Sequence, residues 1–281
     1  MSGIRGIDII DGYLNLVETH HTASRPQPGS AEHPTQYLFG DYSQREDESR
    51  SVAGVVATMD RHGIERAQLN VSAWDRLPAA EEIMTSYPGR FTVAVRIDPH
   101  QLMAEVARIR AARARLGDRL SSVSIVPFLL EPRVPATDAH CYVIYALCSE
   151  LGLTVNVNAG IPGPRVPGMV QDPIYLDQVC YDFPDLTVVI RHGGDPWGAM
   201  CAKLLLKWPN LYYSTDAFAP RHYLKEIIDF ANTRGKEKVL YGGYYPALSY
   251  DRIMTELDAL PLKDDVWPYF LRHNSERAYG M

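Results

Sequence analysis

Eight short runs of apolar and β-branched residues recur about every 30 residues along this 281-residue chain, and a segment of helical period follows most of them. The runs fall at residues 6–10, 67–71, 91–97, 123–128, 153–157, 186–191, 211–214 and 239–241. They read as apolar throughout rather than alternating, which suits parallel strands covered on both faces. Between them, Val52, Val55, Val56 and Met59 share one helix face, and Cys141, Ile144, Cys148 and Leu151 another, ended by Gly152. Leu224, Ile227, Ile228 and Ala231 form a third face, and Ile253, Leu257 and Leu260 a fourth. Eight strand–helix units in one chain of this length point to an α/β fold, the (β/α)8 TIM barrel, as a single domain over 1–281. The competing architecture is a doubly wound sheet, but no first strand leads into a GxGxxG turn.

Two segments stand outside the repeat. Residues 18–47, rich in His, Pro, Gly and Tyr, form a long insert after the first strand, expected to be a lid or binding loop. Residues 265–281 read as a C-terminal helix that packs Trp267, Phe270 and Leu271 onto the barrel. Asp172-Pro173 and Asp195-Pro196 each place a capping carboxylate before a proline suited to a first helical turn. The arginines at 108, 110, 113 and 115 are expected to form a solvated helix face.

Composition narrows the function classes. With 46% hydrophobic and 22% charged residues and a net charge of -6, the chain matches a soluble globular enzyme and offers no basic surface for nucleic acid or anionic membrane. No apolar run approaches the ~20 residues of a membrane span, and the N-terminal MSGIRGIDII lacks the apolar core of a secretory signal. The four cysteines, Cys141, Cys148, Cys180 and Cys201, contain no CxxC pair and read as buried thiols. These features together predict a cytoplasmic protein.

The strongest site signal is His192. It ends the sixth run and precedes Gly193-Gly194, where α/β enzymes keep their chemistry. Asp11 after the first run and Asp216 after the seventh point toward the same barrel face as partners for it. Arg96, Arg165 and Arg221 lie after the third, fifth and seventh runs, where a guanidinium can clamp a carboxylate. No GxSxG elbow, strand-end cysteine or Walker loop is present, so serine or thiol nucleophiles and nucleotide cofactors are not indicated.

As a set, IDIIDGYLN, GIERAQLNV, RFTVAVRIDP, ELGLTVNVNAG, DLTVVIRHGG, NLYYSTDAF, VLYGGYYP and RHNSERAY resemble the amidohydrolase superfamily over nearly the whole chain. The likeness is greatest to its amidohydrolase-related branch, which holds hydrolases and decarboxylases of the aminocarboxymuconate-semialdehyde type. The resemblance implies a metal held by an HxH pair after strand 1, a His after strand 5 and an Asp after strand 8, with a further His ending strand 6. Here the HxH positions read Tyr13 and Asn15, the strand 5 position Asn158 and the strand 8 position Tyr244; His192 alone matches. Phenols and neutral amides are poor transition-metal ligands, so no metal and no other cofactor is expected. His20 and His21 in the insert are expected to be polar lid residues that touch substrate.

The expected activity is metal-independent hydrolysis of a small organic acid, lactone or carbonyl compound at the C-terminal barrel mouth. His192 would be the acid/base, assisted by Asp11 or Asp216, with Tyr13, Asn15, Asn158 and Tyr244 contacting substrate. A decarboxylase or other C–C lyase at the same site is the second expectation, and a pseudoenzyme that binds a ligand or partner the third. The expected partner is a small-molecule substrate; a homodimer is an expectation by analogy with the family alone.

Overall fold

The computed structural model describes residues 4–16 and 51–281. In chain order these form β1 (Ile9–Leu14), α1 (Val52–Arg61), β2 (Ile64–Val71), α2 (Leu77–Ser86), β3 (Phe91–Arg96), α3 (Met103–Leu116), β4 (Leu120–Ile125) and α4 (Ala139–Leu151). There follow β5 (Thr154–Asn158), α5 (Tyr175–Asp182), β6 (Val188–Arg191), α6 (Gly198–Lys207), β7 (Leu211–Ser214), α7 (Lys225–Ala231), β8 (Val239–Leu240), α8 (Tyr250–Asp258) and α9 (Asn274–Tyr279). The strands pair in parallel in sequence order. The ends meet where Gly12 N–H donates to Tyr241 O at 3.0 Å, Tyr244 N–H to Tyr13 O at 2.9 Å and Asn15 N–H to Tyr245 O at 2.9 Å. Consecutive order without a switch point is a TIM barrel and rules out the doubly wound sheet.

Local chemistry sets the element ends. Asp138 caps α4 by accepting His140 N–H at 2.9 Å. Gly152 ends it at φ 63°, and Leu153 N–H reaches back to Cys148 O at 2.8 Å, closing the turn. The apolar stripes face inward: Val55, Met59, Cys141, Ile144, Ile227, Ile253 and Leu257 are buried against the strands. All four cysteines are buried free thiols. The arginines of α3 lie on a solvated, ion-paired face, with Arg110 meeting Glu150 at 2.9 Å and Arg108 meeting Glu105 at 2.9 Å. Among the described residues no helix is long and apolar enough to cross a membrane.

The fold corrects four expectations. β1 is not 6–10: the chain leaves a 3-10 turn at Gly6 and pairs with β2 through Leu14, so Asp11 and Tyr13 lie within the strand. β4 begins earlier, at Leu120, and stops before Pro127, which has no N–H to donate and opens a 3-10 turn. Asp195 caps nothing, because α6 starts at Gly198 with Trp197 as its unbonded cap. Asp172 does cap a turn, accepting Ile174 N–H at 2.9 Å.

The fourth correction concerns the barrel interior. Several strands alternate after all, with polar residues inward. Asn156 donates to Ser122 Oγ at 2.9 Å and to Ser124 Oγ at 3.3 Å, Gln68 donates to Ser121 Oγ at 2.8 Å, and all are buried or nearly so. Barrel interiors are usually filled by branched aliphatic side chains. This one is polar because it surrounds a buried charge, Arg191. The tail is a π-helical turn (Tyr269–His273) followed by α9, and it covers the N-terminal end of the barrel. There Thr154 Oγ donates to Ala278 O, Asn274 donates to Val239 O at 2.7 Å, and Trp267, Phe270 and Leu271 are buried as expected.

At the opposite end, Gly160 packs tightly under the loop after β6. Its φ is 107°, and an added Cβ would lie 2.9–3.1 Å from backbone atoms of Gly194 and Asp195, which cannot swing aside. Gly160→Ala is expected to cost about 2–3 kcal/mol, from positive-φ strain plus overpacking. Chemical denaturation would show it as a lower midpoint; an unchanged midpoint would mean the loop after β6 is not packed in this way.

Candidate active site

β6 delivers two neighbouring side chains to opposite parts of the site. Arg191 points into the barrel and is 1% exposed, while His192 turns up to the mouth with 22% of its side chain exposed. The turn is forced by a backbone in the left-handed region, φ 61° at His192. Ala217 after β7 has φ 71° and Tyr244 after β8 has φ 59°. Such conformations cost on the order of 1–3 kcal/mol each in non-glycine residues and persist where surrounding structure holds them. Three on adjacent strand ends mark the mouth between β6 and β8 as a constructed region.

Asp216 anchors it. The carboxylate is fully buried; Oδ1 accepts His192 N–H at 2.6 Å and lies 3.4 Å from His192 Nδ1. Oδ2 accepts Ser214 Oγ at 3.0 Å and sits 3.5 Å from Arg191 Nε. With Nδ1 directed at a carboxylate, Nε2 is the nitrogen left to handle a proton at the mouth. Burial pushes the His192 pKa below its usual value, the Arg191 charge adds to this, and Asp216 opposes it. The imidazole therefore rests neutral at neutral pH, ready to accept a proton.

Tyr13 and Tyr244 wall the imidazole. Their ring centroids lie 5.4 and 5.5 Å from that of His192 and 5.0 Å from each other. Asn158 ends β5 opposite Arg191 in register, 5% exposed, on the inward row begun by Asn156. Asn15 follows β1 and is half-buried. Register also places Arg96 on the inward row with Ser124. His192, Asp216, Tyr13 and Tyr244 thus come together, with Asn158 and Arg96 on the same inner face.

Asp11 is placed differently. It is fully buried and accepts Tyr13 N–H at 2.8 Å, Gly243 N–H at 2.7 Å and the Tyr250 hydroxyl at 2.7 Å. These bonds tie β1 to the β8 loop and to α8, so Asp11 holds the backbone that carries Tyr13 and Tyr244. With no cation among these partners, burial raises its pKa from 3.8 to about 6 against the pull of the hydrogen bonds. Arg221 turns to the surface, its Nε on His222 at 3.1 Å and its guanidinium 3.9 Å from Glu256 of α8. Arg165 is exposed on the loop after β5. His20, His21 and the rest of 18–47 lie outside the described residues.

Among the described residues the donor set does not fit the metal that the family implies. Among the described residues no three His, Cys, Asp or Glu side chains converge as metal ligands. The mouth offers one imidazole, two phenols and an amide, and both oxygens of Asp216 already accept hydrogen bonds.

Two residues escaped the sequence reading. Arg191 donates to Asn70 Oδ1 at 2.7 Å, Gly12 O at 3.1 Å, the Tyr279 hydroxyl oxygen at 3.1 Å and Gln68 Oε1, and lies 4.6 Å beneath the Tyr13 ring. Its signal was a charge closing an otherwise apolar run. Tyr279 carried none, because its position depends on how α9 docks.

The family model described as Amidohydrolase matches residues 17–281. No curated protein matches the chain. Among solved structures, an uncharacterized TIM-barrel protein from Bordetella bronchiseptica superposes with a TM-score of 0.77 at 22% identity, covering 97% of this chain and 98% of that one. A probable 2-pyrone-4,6-dicarboxylic acid hydrolase from Acinetobacter baumannii, with citric acid bound, gives 0.64 at 15% identity, covering 98% and 100%. A 5-carboxyvanillate decarboxylase from Novosphingobium aromaticivorans, complexed with manganese and 4-hydroxy-3-methoxy-5-nitrobenzoic acid, gives 0.65 at 15% identity, covering 100% and 98%. With a model match over nearly its full length and a barrel that superposes on these structures, the chain belongs to the amidohydrolase family, in its amidohydrolase-related branch.

Proposed function

We propose that the protein is a metal-independent hydrolase that opens a lactone or ester of a small organic acid at the barrel mouth. The observation that carries this reading is the His192–Asp216 pair: a neutral imidazole whose Nδ1 faces a buried carboxylate 3.4 Å away. Nε2 takes a proton from water as the water oxygen bonds to the acyl carbon. The C–O bond to the leaving oxygen then breaks, and the imidazolium returns its proton to that oxygen. Tyr13 and Tyr244 supply phenolic donors for the oxyanion, the role a Lewis acid has elsewhere. Arg96, on the inward row, is the cation suited to a substrate carboxylate.

Decarboxylation is the second reading. A decarboxylase superposes over the whole chain, and water attack without a metal-lowered water pKa is the harder chemistry. In that case His192 or Tyr244 delivers a proton to the carbon that loses CO2. Incubation with candidate lactones and aromatic carboxylates, following acid release against CO2 release, separates the two. Acid release by protein with less than stoichiometric metal, unaffected by chelator, is the expected result. Stoichiometric zinc or manganese in protein purified without chelator would overturn the metal-free mechanism.

A further inference from the structure

Arg191 is the one buried cation among the described residues, and it lies against Tyr13, Asp216 and Tyr279. Above it lies Tyr13 of the mouth; beside it, Asp216; below it, Tyr279 of α9, which has come up through the N-terminal end of the barrel. Tyr279 is itself held, with its hydroxyl on Asn156 Oδ1 at 3.2 Å and its ring packed with Val189 and Leu240. A continuous strut therefore runs from the face opposite the mouth to the carboxylate that orients His192.

We propose that Arg191 and Tyr279 are positioning residues for the His192–Asp216 pair: the guanidinium, seated on Tyr279, makes the pair rest as carboxylate beside neutral imidazole. This deepens the hydrolase reading and rests on it for its catalytic meaning. Without Arg191 the buried pair would lower its energy by becoming an ion pair, and a protonated His192 cannot accept a proton from water. With Arg191 present, Asp216 already has its counter-charge and a second cation is disfavoured. Other groups face the same space. Tyr13, from β1, and Tyr244, from the β8 loop, flank the imidazole. The Tyr213 hydroxyl donates to Gly193 O at 2.5 Å, and Asp11 and Tyr223 border the buried region. Burial keeps the Tyr213 and Tyr223 phenols protonated. Arg96 stands on the same inner face as a further cation, and Asp11 is near enough to Asp216 for the two carboxyl groups to repel.

The test follows the His192 imidazole by NMR across pH without substrate, assigned with His192→Gln, in the wild type, Arg191→Met, Arg191→Lys and Tyr279→Phe. Arg191→Met should raise the His192 midpoint by about one pH unit, the scale of losing a charge at close range. Tyr279→Phe should raise it by a few tenths, and Arg191→Lys should restore most of the wild-type value. An Arg191→Met chain that fails to fold leaves Tyr279→Phe as the deciding variant. An unmoved midpoint in folded Tyr279→Phe would overturn the proposal. The acid limb of kcat/KM should move with the midpoint. A moved midpoint with a stationary limb would leave the strut standing and remove His192 as the base.

Discussion

His192→Gln is expected to lower kcat/KM by about 10²–10⁴-fold, the range a positioned general base contributes. Asp216→Asn should cost a comparable factor with little loss of substrate binding, because a neutral amide, whose oxygen still accepts the His192 backbone N–H, leaves the imidazolium formed in the reaction without its counter-charge. The wild-type rate should fall with acid along one limb. Since burial depresses the His192 pKa, that limb lies below the ordinary imidazole range, and it should be absent from whatever activity His192→Gln retains. Steady-state kinetics from pH 4.5 to 8 (roughly two units either side of an ordinary imidazole) would read all three. Near-wild-type turnover by His192→Gln would show that the chemistry lies elsewhere in the mouth.

The second large effect is on stability. Asp11 has a folded pKa of about 6 against 3.8 unexposed to burial. A raised folded value means that the folded chain holds this proton more tightly than the unfolded chain does. The contribution is therefore complete below about 3.8 and is lost as pH rises through about 6. The shift corresponds to about 3 kcal/mol, undiscounted because the group is wholly buried. Asp11→Asn removes the titration and keeps the geometry: its carbonyl oxygen accepts from Tyr13 and Gly243, and the Tyr250 hydroxyl reverses to accept from the amide. Denaturation at pH 4 and pH 7 should show the variant gaining on the wild type by about 2.4 kcal/mol between the two, because at pH 4 the unfolded group is already partly ionised. A difference that stays constant with pH would disprove the assignment of Asp11 as an anionic strain within the fold.

How far the sequence reveals these groups follows from what determines each. Strand placement is legible because β6, β7 and β8 are largely apolar runs bounded by Gly or turn residues, and such patterns are local. β1 was misplaced because its outer half, Asp11-Gly-Tyr-Leu, looks like a turn by composition; only pairing with β2 and the β8 loop makes it a strand. His192 was visible from its position before two glycines. Asp216 was found by chain position, and its bond to the His192 backbone required the left-handed turn that sequence does not show. Asp11 looked equivalent to Asp216 in sequence. The difference between them is their partners, a cation for one and hydrogen-bond donors alone for the other. The polar interior was readable in the alternating LTVNV and AQLNV runs, yet its purpose became clear only with Arg191 at the centre.

That interior sets a trade-off for anyone who would engineer this barrel. Gln68, Asn70, Ser122 and Asn156 are the positions that a search for thermostability would replace with valine or isoleucine, as other barrels have. Changes at Gln68 or Asn70 remove a direct hydrogen bond to the buried guanidinium, and changes at Ser122 or Asn156 loosen the network that holds its Tyr279 partner. A hardened variant of this protein would keep its shape while giving up the charge beneath its mouth, so stability and chemistry here draw on the same few side chains.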